Sequence, residues 1–257
     1  MEIIAGDIGA TKSALLWAAG TDHASNQLVY ERVYASTDFA DAQALLQQFV
    51  RDAQAQTGPR LPPTWMTLAL PGAVYAHRAQ LTNLDWTLDA ADLQAQLKID
   101  TVQFINDFQA AASGVATLTD ADTVRLNTAM PVAGGVRAIT GAGTGLGLAW
   151  MMSDSFGHYR TFATEGGHTD FAPANARQAR LLTFVRESLI AQNLSEHVSW
   201  ERLVSGLGLD MIYRFCVHES GDEAPAGVTD GARLDALAAS GDPVAQAALD
   251  LFIDLYG

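Results

Sequence analysis

A chain of 257 residues, 49% of them hydrophobic, is long enough for a sizeable core in two lobes, and it contains neither an apolar run that could span a bilayer nor a basic amino-terminal signal segment. Its formal net charge of -14, from 29 acidic and 15 basic side chains, argues against broad binding to nucleic-acid phosphates. Because Cys216 is the only cysteine, an internal disulfide and a cysteine-based zinc cage are excluded, and we expect a cytoplasmic protein without nucleic-acid or membrane partners.

Strand-like and helix-like segments alternate over the first hundred residues. The hydrophobic pattern predicts strands at 3–7, 14–17, 28–34, 65–70 and 101–105. It predicts helices at 41–56, 89–97 and 108–117, the first of which ends at Gly58. The first two strands are expected to form a hairpin. This alternation indicates a mixed α/β architecture.

A second unit repeats the strand-turn-strand plan of the amino terminus. Strands are predicted at 136–140 and 146–150, and helices at 176–192, 199–203, 209–218, 229–239 and from 243 onward. The last helix carries a continuous apolar face, which we expect to need further protein to pack against. We therefore predict two domains, a smaller one at 1–117 and a larger one at 118–257.

Two glycine-rich turns, at 6–12 and 141–147, each follow a predicted strand. Glycines let backbone N–H groups approach phosphate oxygens closely, and threonine hydroxyls add donors. Neither turn matches the common nucleotide-binding motifs, since the second has Leu146 where a dinucleotide fingerprint needs its third glycine. The alternative is that both are tight hairpins that need positive φ. The presence of two such turns, each with a threonine, favours phosphate binding.

Two charged side chains belong to the first turn. The Asp7 carboxylate can bind a hydrated Mg²⁺ beside a phosphate, since magnesium takes few protein ligands. Its alternative interpretation is a turn-forming aspartate. Lys12 could contact phosphate, but we favour a solvated cation.

Asn106 and Asp107 end the strand predicted at 101–105, and the carboxyl ends of strands are where open α/β sheets bind ligands. A carboxylate there can accept the proton of an attacking hydroxyl, and the asparagine can both donate to and accept from a neighbouring hydroxyl. The alternative is that both residues cap the helix that begins at Phe108. The two interpretations are compatible.

A short loop places Glu165 and His168 on either side of a flexible glycine pair. Such groups can bind the vicinal hydroxyls of a sugar. They could also belong to a metal site, but His168 has no second histidine or cysteine at ligand spacing, which argues against zinc. Glu201 is, from its local sequence, a first-turn glutamate favoured by the helix dipole.

Taken in order, these segments resemble the bacterial-type glucokinase family of ATP-dependent hexose kinases. The resemblance covers nearly the whole chain, and six segments carry it: 6–11, 81–86, 104–108, 141–147, 165–173 and 197–206. It implies a two-lobed actin-like (ribonuclease H-like) α/β sugar kinase fold. Ala10 and Lys12 differ from the glycine and asparagine that are more usual in the first motif.

The resemblance implies phosphorylation of glucose at its 6-hydroxyl to glucose 6-phosphate, the entry to glycolysis, with ATP and Mg²⁺. Asp107 would be the general base. The implied sugar-binding residues are Asn83, Asn106, Glu165, His168 and Glu201. The implied phosphate-binding residues are Asp7, Gly9, Thr11, Gly143, Thr144 and Gly145, and Asp7 would also bind the metal. A homodimer is a candidate assembly.

Members of the family continue past the helix near Phe252 with a glycine-rich strand and turn at the adenosine, and with a terminal helix. We therefore expect this chain to be truncated and its second lobe to be incomplete. The alternative function is a catalytically impaired sugar-binding or regulatory remnant. The sequence leaves open which hexose is preferred, and whether the phosphoryl donor is ATP, ADP or polyphosphate.

Overall fold

The computed structural model describes residues 1–21, 26–72, 74–75, 77–81, 84–223 and 230–257. They form two compact units, Met1–Pro131 and Val132–Gly257. The boundary therefore lies after Pro131 and not after residue 117, and the two units are similar in size. The reason is that 118–131, whose regular structure is the single-turn 3₁₀ helix Asp120–Asp122, groups with the first unit.

The first unit is built on strands β1 (Glu2–Ile8), β2 (Lys12–Ala19), β3 (Gln27–Ala35), β4 (Trp65–Leu70), β5 (Arg78–Gln80), β6 (Thr87–Asp89) and β7 (Thr101–Asn106). Five of them form one sheet in the order β3-β2-β1-β4-β7, and all five match predicted segments. Strands β1, β2 and β3 are antiparallel neighbours, whereas β4 and β7 run parallel to β1. The ribbon of β5 and β6 was not predicted, because three residues are too few to show an alternating pattern.

Three helices pack with this sheet: α1 (Ala42–Thr57), α2 (Ala90–Leu97) and α3 (Asp107–Gly114). The side chain of Asp41 caps α1 by accepting from the backbone N–H of Ala44 at 2.7 Å, and Gly58 ends the helix with φ 80°. The predicted apolar face of α1 is buried, and Phe49 lies 5.5 Å from Tyr30 of β3 between ring centroids. The helix predicted at 108–117 ends at Gly114 and continues as a 3₁₀ turn.

The second unit contains strands β8 (Arg137–Ala142), β9 (Leu146–Ser153) and β10 (Tyr159–Thr164) and helices α4 (Ala176–Ala191), α5 (Gly206–Ser220), α6 (Gly231–Ala239) and α7 (Pro243–Tyr256). The strands form a three-stranded antiparallel sheet in the order β10-β9-β8. The helix predicted at 199–203 is a single 3₁₀ turn, Trp200–Arg202. The apolar face of α7 already has partners, since Ala248, Leu251 and Leu255 join the core formed with α5.

No helix in the described parts of the chain has the length and apolarity needed to cross a membrane.

Candidate active site

The first group of candidate residues lies at the carboxyl edge of three parallel strands. Asp7 in β1 pairs with Ala69 of β4, and Ala69 pairs with Ile105 of β7. Asn106 is the last residue of β7, and Asp107 follows it as the first residue of α3. The parallel register therefore brings Asp7, Asn106 and Asp107 to one edge of the sheet, where α/β proteins bind ligands.

Asn106 caps α3. Its Oδ1 accepts from the backbone N–H groups of Phe108 at 3.0 Å and Gln109 at 3.2 Å, and its Nδ2 donates to the Gly72 carbonyl at 3.2 Å. The capping interpretation is therefore right for Asn106. Because its oxygen is engaged by two donors, the side chain can offer a sugar one remaining amide hydrogen but is a poor acceptor.

Asp107 is half-buried, and its Oδ1 accepts from the N–H of Phe108 at 2.8 Å. Although the Asp7 residue as a whole is exposed, partial burial of its carboxyl raises its pKa, and the negative charge of Asp107 raises it further. Two carboxylates close enough to repel each other fit a site for a hydrated Mg²⁺, which needs one or two such ligands plus phosphate oxygens. The described residues contain no cluster of three or more acidic, histidine or cysteine side chains that could hold a metal on its own.

The raised pKa of Asp7 predicts a gain in stability for Asp7→Asn in the ligand-free protein. Above the ordinary pKa of 3.8, the folded state holds this proton more tightly than the unfolded state, so stability falls as the pH rises through the raised pKa. At pH 7 the variant should melt at a higher temperature than the wild type, and the difference should shrink as the pH falls towards 3.8. Scanning calorimetry across this range measures both effects.

The matched control is Asp100→Asn, at an exposed aspartate between α2 and β7, which should leave the melting temperature unchanged. A lower melting temperature for Asp7→Asn at pH 7 would show that the Asp7 carboxylate stabilises the empty site.

The first glycine turn joins β1 and β2 and is held by a pair of buried serines. The N–H of Gly9 donates to the Lys12 carbonyl at 3.0 Å, and the Ser36 hydroxyl donates to the Gly9 carbonyl at 2.6 Å. The Ser13 and Ser36 hydroxyls lie 2.8 Å apart. Sequence reasoning missed both serines. The only signal for Ser13 is its inward position in β2, and nothing in the sequence marks Ser36.

The second glycine turn joins β8 and β9. The N–H of Gly143 donates to the Gly145 carbonyl at 2.8 Å, and the N–H of Gly206, at the start of α5, donates to the Gly143 carbonyl at 2.9 Å. Thr144 between them is exposed.

The glycines of the two turns are not explained by positive φ, since none of the positive-φ glycines in the described residues belongs to either turn. The alternative is therefore right that both turns join antiparallel neighbouring strands, and wrong that they need positive φ. A Cβ on Gly9 would lie 2.9 Å from the Lys12 carbonyl oxygen, and one on Gly145 would lie 2.4 Å from Glu201 Oε2. A Cβ on Gly143 would meet no described atom within 4 Å, so the backbone there is open to an approaching ligand.

Three polar side chains of the second unit form the candidate sugar group. His168 Nε2 lies 3.7 Å from Glu165 Oε2, and His168 Nδ1 lies 3.6 Å from Glu201 Oε1. The side chains of Glu165 and His168 are 64% and 58% exposed, and that of Glu201 is 33% exposed. Glu201 also accepts from the backbone N–H of Leu146 at 3.0 Å through Oε2. Its local sequence gave no sign of this contact.

The glycine pair of this loop is closely packed. Gly167 is buried, and a Cβ there would lie 2.1 Å from the carbonyl oxygen of Leu146. A Cβ on Gly166 would lie 2.4 Å from Leu148 Cδ2. The interpretation as a flexible pair is therefore wrong, because both glycines allow the loop to lie directly on β9.

The candidate sugar group adjoins a cavity of about 900 Å³ within the second unit. Its walls include Thr144, His168 and Glu201, together with side chains from α4 and α5. A cavity of this size accommodates a small-molecule ligand. Asn83, the remaining predicted sugar-binding residue, lies outside the described residues.

Comparison with known proteins decides the family. The family model described as Glucokinase matches residues 4–257. The chain belongs to the glucokinase family. A glucokinase from Nostoc sp. (strain PCC 7120) is 34% identical over 274 residues, which cover 99% of this chain and 78% of the relative. The resemblance inferred from the six segments is confirmed.

Solved glucokinases share the fold. The crystal structure of a glucokinase from an Antarctic psychrotroph has a TM-score of 0.81 and 26% identity, covering 99% of this chain and 76% of that one. A glucokinase from Balamuthia mandrillaris, solved in complex with glucose, has a TM-score of 0.73 and 22% identity, covering 99% and 74%. The predicted α/β sugar kinase fold is therefore confirmed.

Proposed function

We propose that this chain is an ATP-dependent glucokinase, which transfers the terminal phosphoryl group of ATP to the 6-hydroxyl of glucose. The observation that carries the proposal is the glucokinase match over residues 4–257. It favours the kinase over a catalytically impaired sugar-binding or regulatory remnant. The local geometry of the candidate residues supports three roles: proton acceptance by one carboxylate, sugar binding by a polar group, and phosphate binding by each of the two glycine turns.

In this proposal Asp107 is the general base. It is the first residue of α3, and the hydrogen bond from Phe108 N–H to its Oδ1 fixes the orientation of the carboxylate. No described residue donates to Oδ2, which can therefore accept the proton of the 6-hydroxyl as that oxygen attacks phosphorus. Phosphoryl transfer depends mainly on positioning and charge stabilisation. The one proton transfer that the protein must assist is removal of the hydroxyl proton, by a base aimed at the nucleophile.

Sugar hydroxyls would be bound by Glu165, His168 and Glu201 of the second unit. The carboxylates accept hydrogen bonds, whereas the imidazole can also donate, so the hydroxyls meet partners of both kinds. Because a sugar that lacks one hydroxyl would leave a polar group unpaired, this arrangement supports discrimination among hexoses. We also assign Asn83 and Asn106 to sugar binding, on the family resemblance alone.

The ATP phosphates would contact the backbone of the two glycine turns and the exposed hydroxyls of Thr11 and Thr144. The open space at Gly143 supports this assignment. Asp7 would hold Mg²⁺ through water or directly. A bound Mg²⁺ would neutralise phosphate charge and relieve the repulsion between Asp7 and Asp107.

A coupled assay for sugar phosphate, run with a hexose panel, ATP and Mg²⁺, tests this proposal. Glucose should support ATP consumption, and a control reaction without sugar should consume little ATP. ADP and polyphosphate in place of ATP identify the donor. Glucose binding in calorimetry without any ATP consumption would contradict the kinase and favour the sugar-binding remnant.

We also propose that the protein acts in the cytoplasm. The buried Cys216, which forms no disulfide, and the use of ATP support this location. The homodimer remains a prediction. Light scattering of the purified chain at several concentrations measures the assembly state.

A further inference from the structure

The Glu201 side chain contacts two candidate groups at once. Its Oε2 accepts from the N–H of Leu146, the residue that follows the second glycine turn, at 3.0 Å. Its Oε1 lies 3.6 Å from His168 Nδ1 in the sugar loop. A single carboxylate therefore joins the turn assigned to phosphate with the loop assigned to sugar.

The glycine at 145 makes room for this carboxylate. A Cβ there would lie 2.4 Å from Glu201 Oε2 and 3.1 Å from its Cδ. The clash involves the end of a flexible side chain, so an alanine would push the carboxylate aside without forcing the backbone to move. Gly143, in the same turn, has no described atom within 4 Å of the corresponding position. The two glycines thus give a matched pair of test positions.

We infer that Glu201 is a positioning residue that couples hexose binding to nucleotide binding through Leu146 N–H. This inference rests on the proposed function. A hydroxyl bound at Oε1 would restrict the Glu201 side chain, and the restricted side chain would hold the Leu146 amide and with it the second turn. Since coupling between two ligands is reciprocal, nucleotide on the turn must strengthen hexose binding by the same factor.

Calorimetric titration of glucose, with and without a non-hydrolysable ATP analogue, measures the coupling in the full chain. We expect a factor of about five or more in the wild type. Gly145→Ala and Glu201→Ala should reduce it to about one and weaken glucose binding by about tenfold or more. Glu201→Gln keeps an oxygen for Leu146 N–H and should preserve the coupling. Gly143→Ala should leave the glucose affinity measured without nucleotide unchanged.

A ligand-independent measurement accompanies the titration. Amide hydrogen exchange at Leu146 should accelerate about tenfold or more in Gly145→Ala and Glu201→Ala, but not in Glu201→Gln or Gly143→Ala. Unchanged exchange in the first two variants would overturn the inference. So would a wild type that phosphorylates glucose but binds its two substrates independently, an outcome that leaves the proposed function intact. Coupled binding without turnover would instead support the inference and reject the proposed function.

Discussion

Replacing Asp107 with asparagine is expected to lower kcat by about 10²–10⁴. The asparagine has the same size and keeps an oxygen for the Phe108 N–H, so α3 should begin at the same residue. It cannot accept the proton of the 6-hydroxyl. The loss should therefore fall on kcat and leave the KM for ATP much less affected, as measured in a coupled assay with saturating glucose.

The control for this variant is Asp92→Asn. Asp92 is also an acidic residue in the first turn of a helix, α2, and it is exposed. Both substitutions remove a carboxylate that interacts favourably with a helix amino terminus, a contribution of about 0.3–1 kcal/mol. Asp92→Asn should leave kcat unchanged. A wild-type kcat in Asp107→Asn would show that Asp107 takes no part in the chemical step, whichever sugar is used.

Gly167→Ala is expected to weaken glucose binding by about 5- to 150-fold, the factor that corresponds to a cost of about 1–3 kcal/mol. The added Cβ would lie 2.1 Å from the Leu146 carbonyl oxygen and 3.1 Å from its carbonyl carbon. These are backbone atoms, which cannot rotate away, so the loop must shift from β9 at a cost of about 1–3 kcal/mol. The shift would displace His168, the next residue. Calorimetry with glucose measures the affinity, and thermal unfolding measures the loss of stability.

Gly166→Ala is the matched control for this effect. Its Cβ would meet Leu148 Cδ2 at 2.4 Å and Thr164 Oγ1 at 3.0 Å, and both atoms belong to side chains, which can change rotamer. The loss of glucose affinity should therefore be clearly smaller than for Gly167→Ala. Equal losses in the two variants would mean that the contact with the Leu146 backbone does not hold the loop in place.

The regular elements could be predicted where their patterns were long. The five strands of the first unit's main sheet lie in predicted segments, and the helical spacing in α1 predicted the apolar face that buries Phe49, but the order of the strands in the sheet was not predicted. Strand β10 was missed because its mixture of polar and aromatic side chains gives no buried face, as its intermediate and exposed residues show. The unit boundary was misplaced because 118–131 has no periodic pattern to assign it to either unit.

The candidate site could be predicted in composition but not in its internal contacts. The spacing of Asn106 and Asp107 after a strand indicated both a cap and a ligand-binding edge, and Asn106 forms the cap. Positive φ does not explain the glycines of the two turns: a Cβ on Gly9 would meet the nearby Lys12 carbonyl, whereas one on Gly145 would meet a side chain from a distant part of the chain. Glu201, which fills the space beside Gly145, lies far along the chain, and the Ser13–Ser36 pair is distant in the same way.

The most direct test of the central claim is product identification by ³¹P NMR after the wild-type chain is incubated with glucose, ATP and Mg²⁺. The account predicts a phosphate monoester at the 6-position, formed in step with ADP, and no sugar phosphate when 6-deoxyglucose replaces glucose. A phosphate ester at another position, or ATP hydrolysis that proceeds equally without sugar, would contradict it.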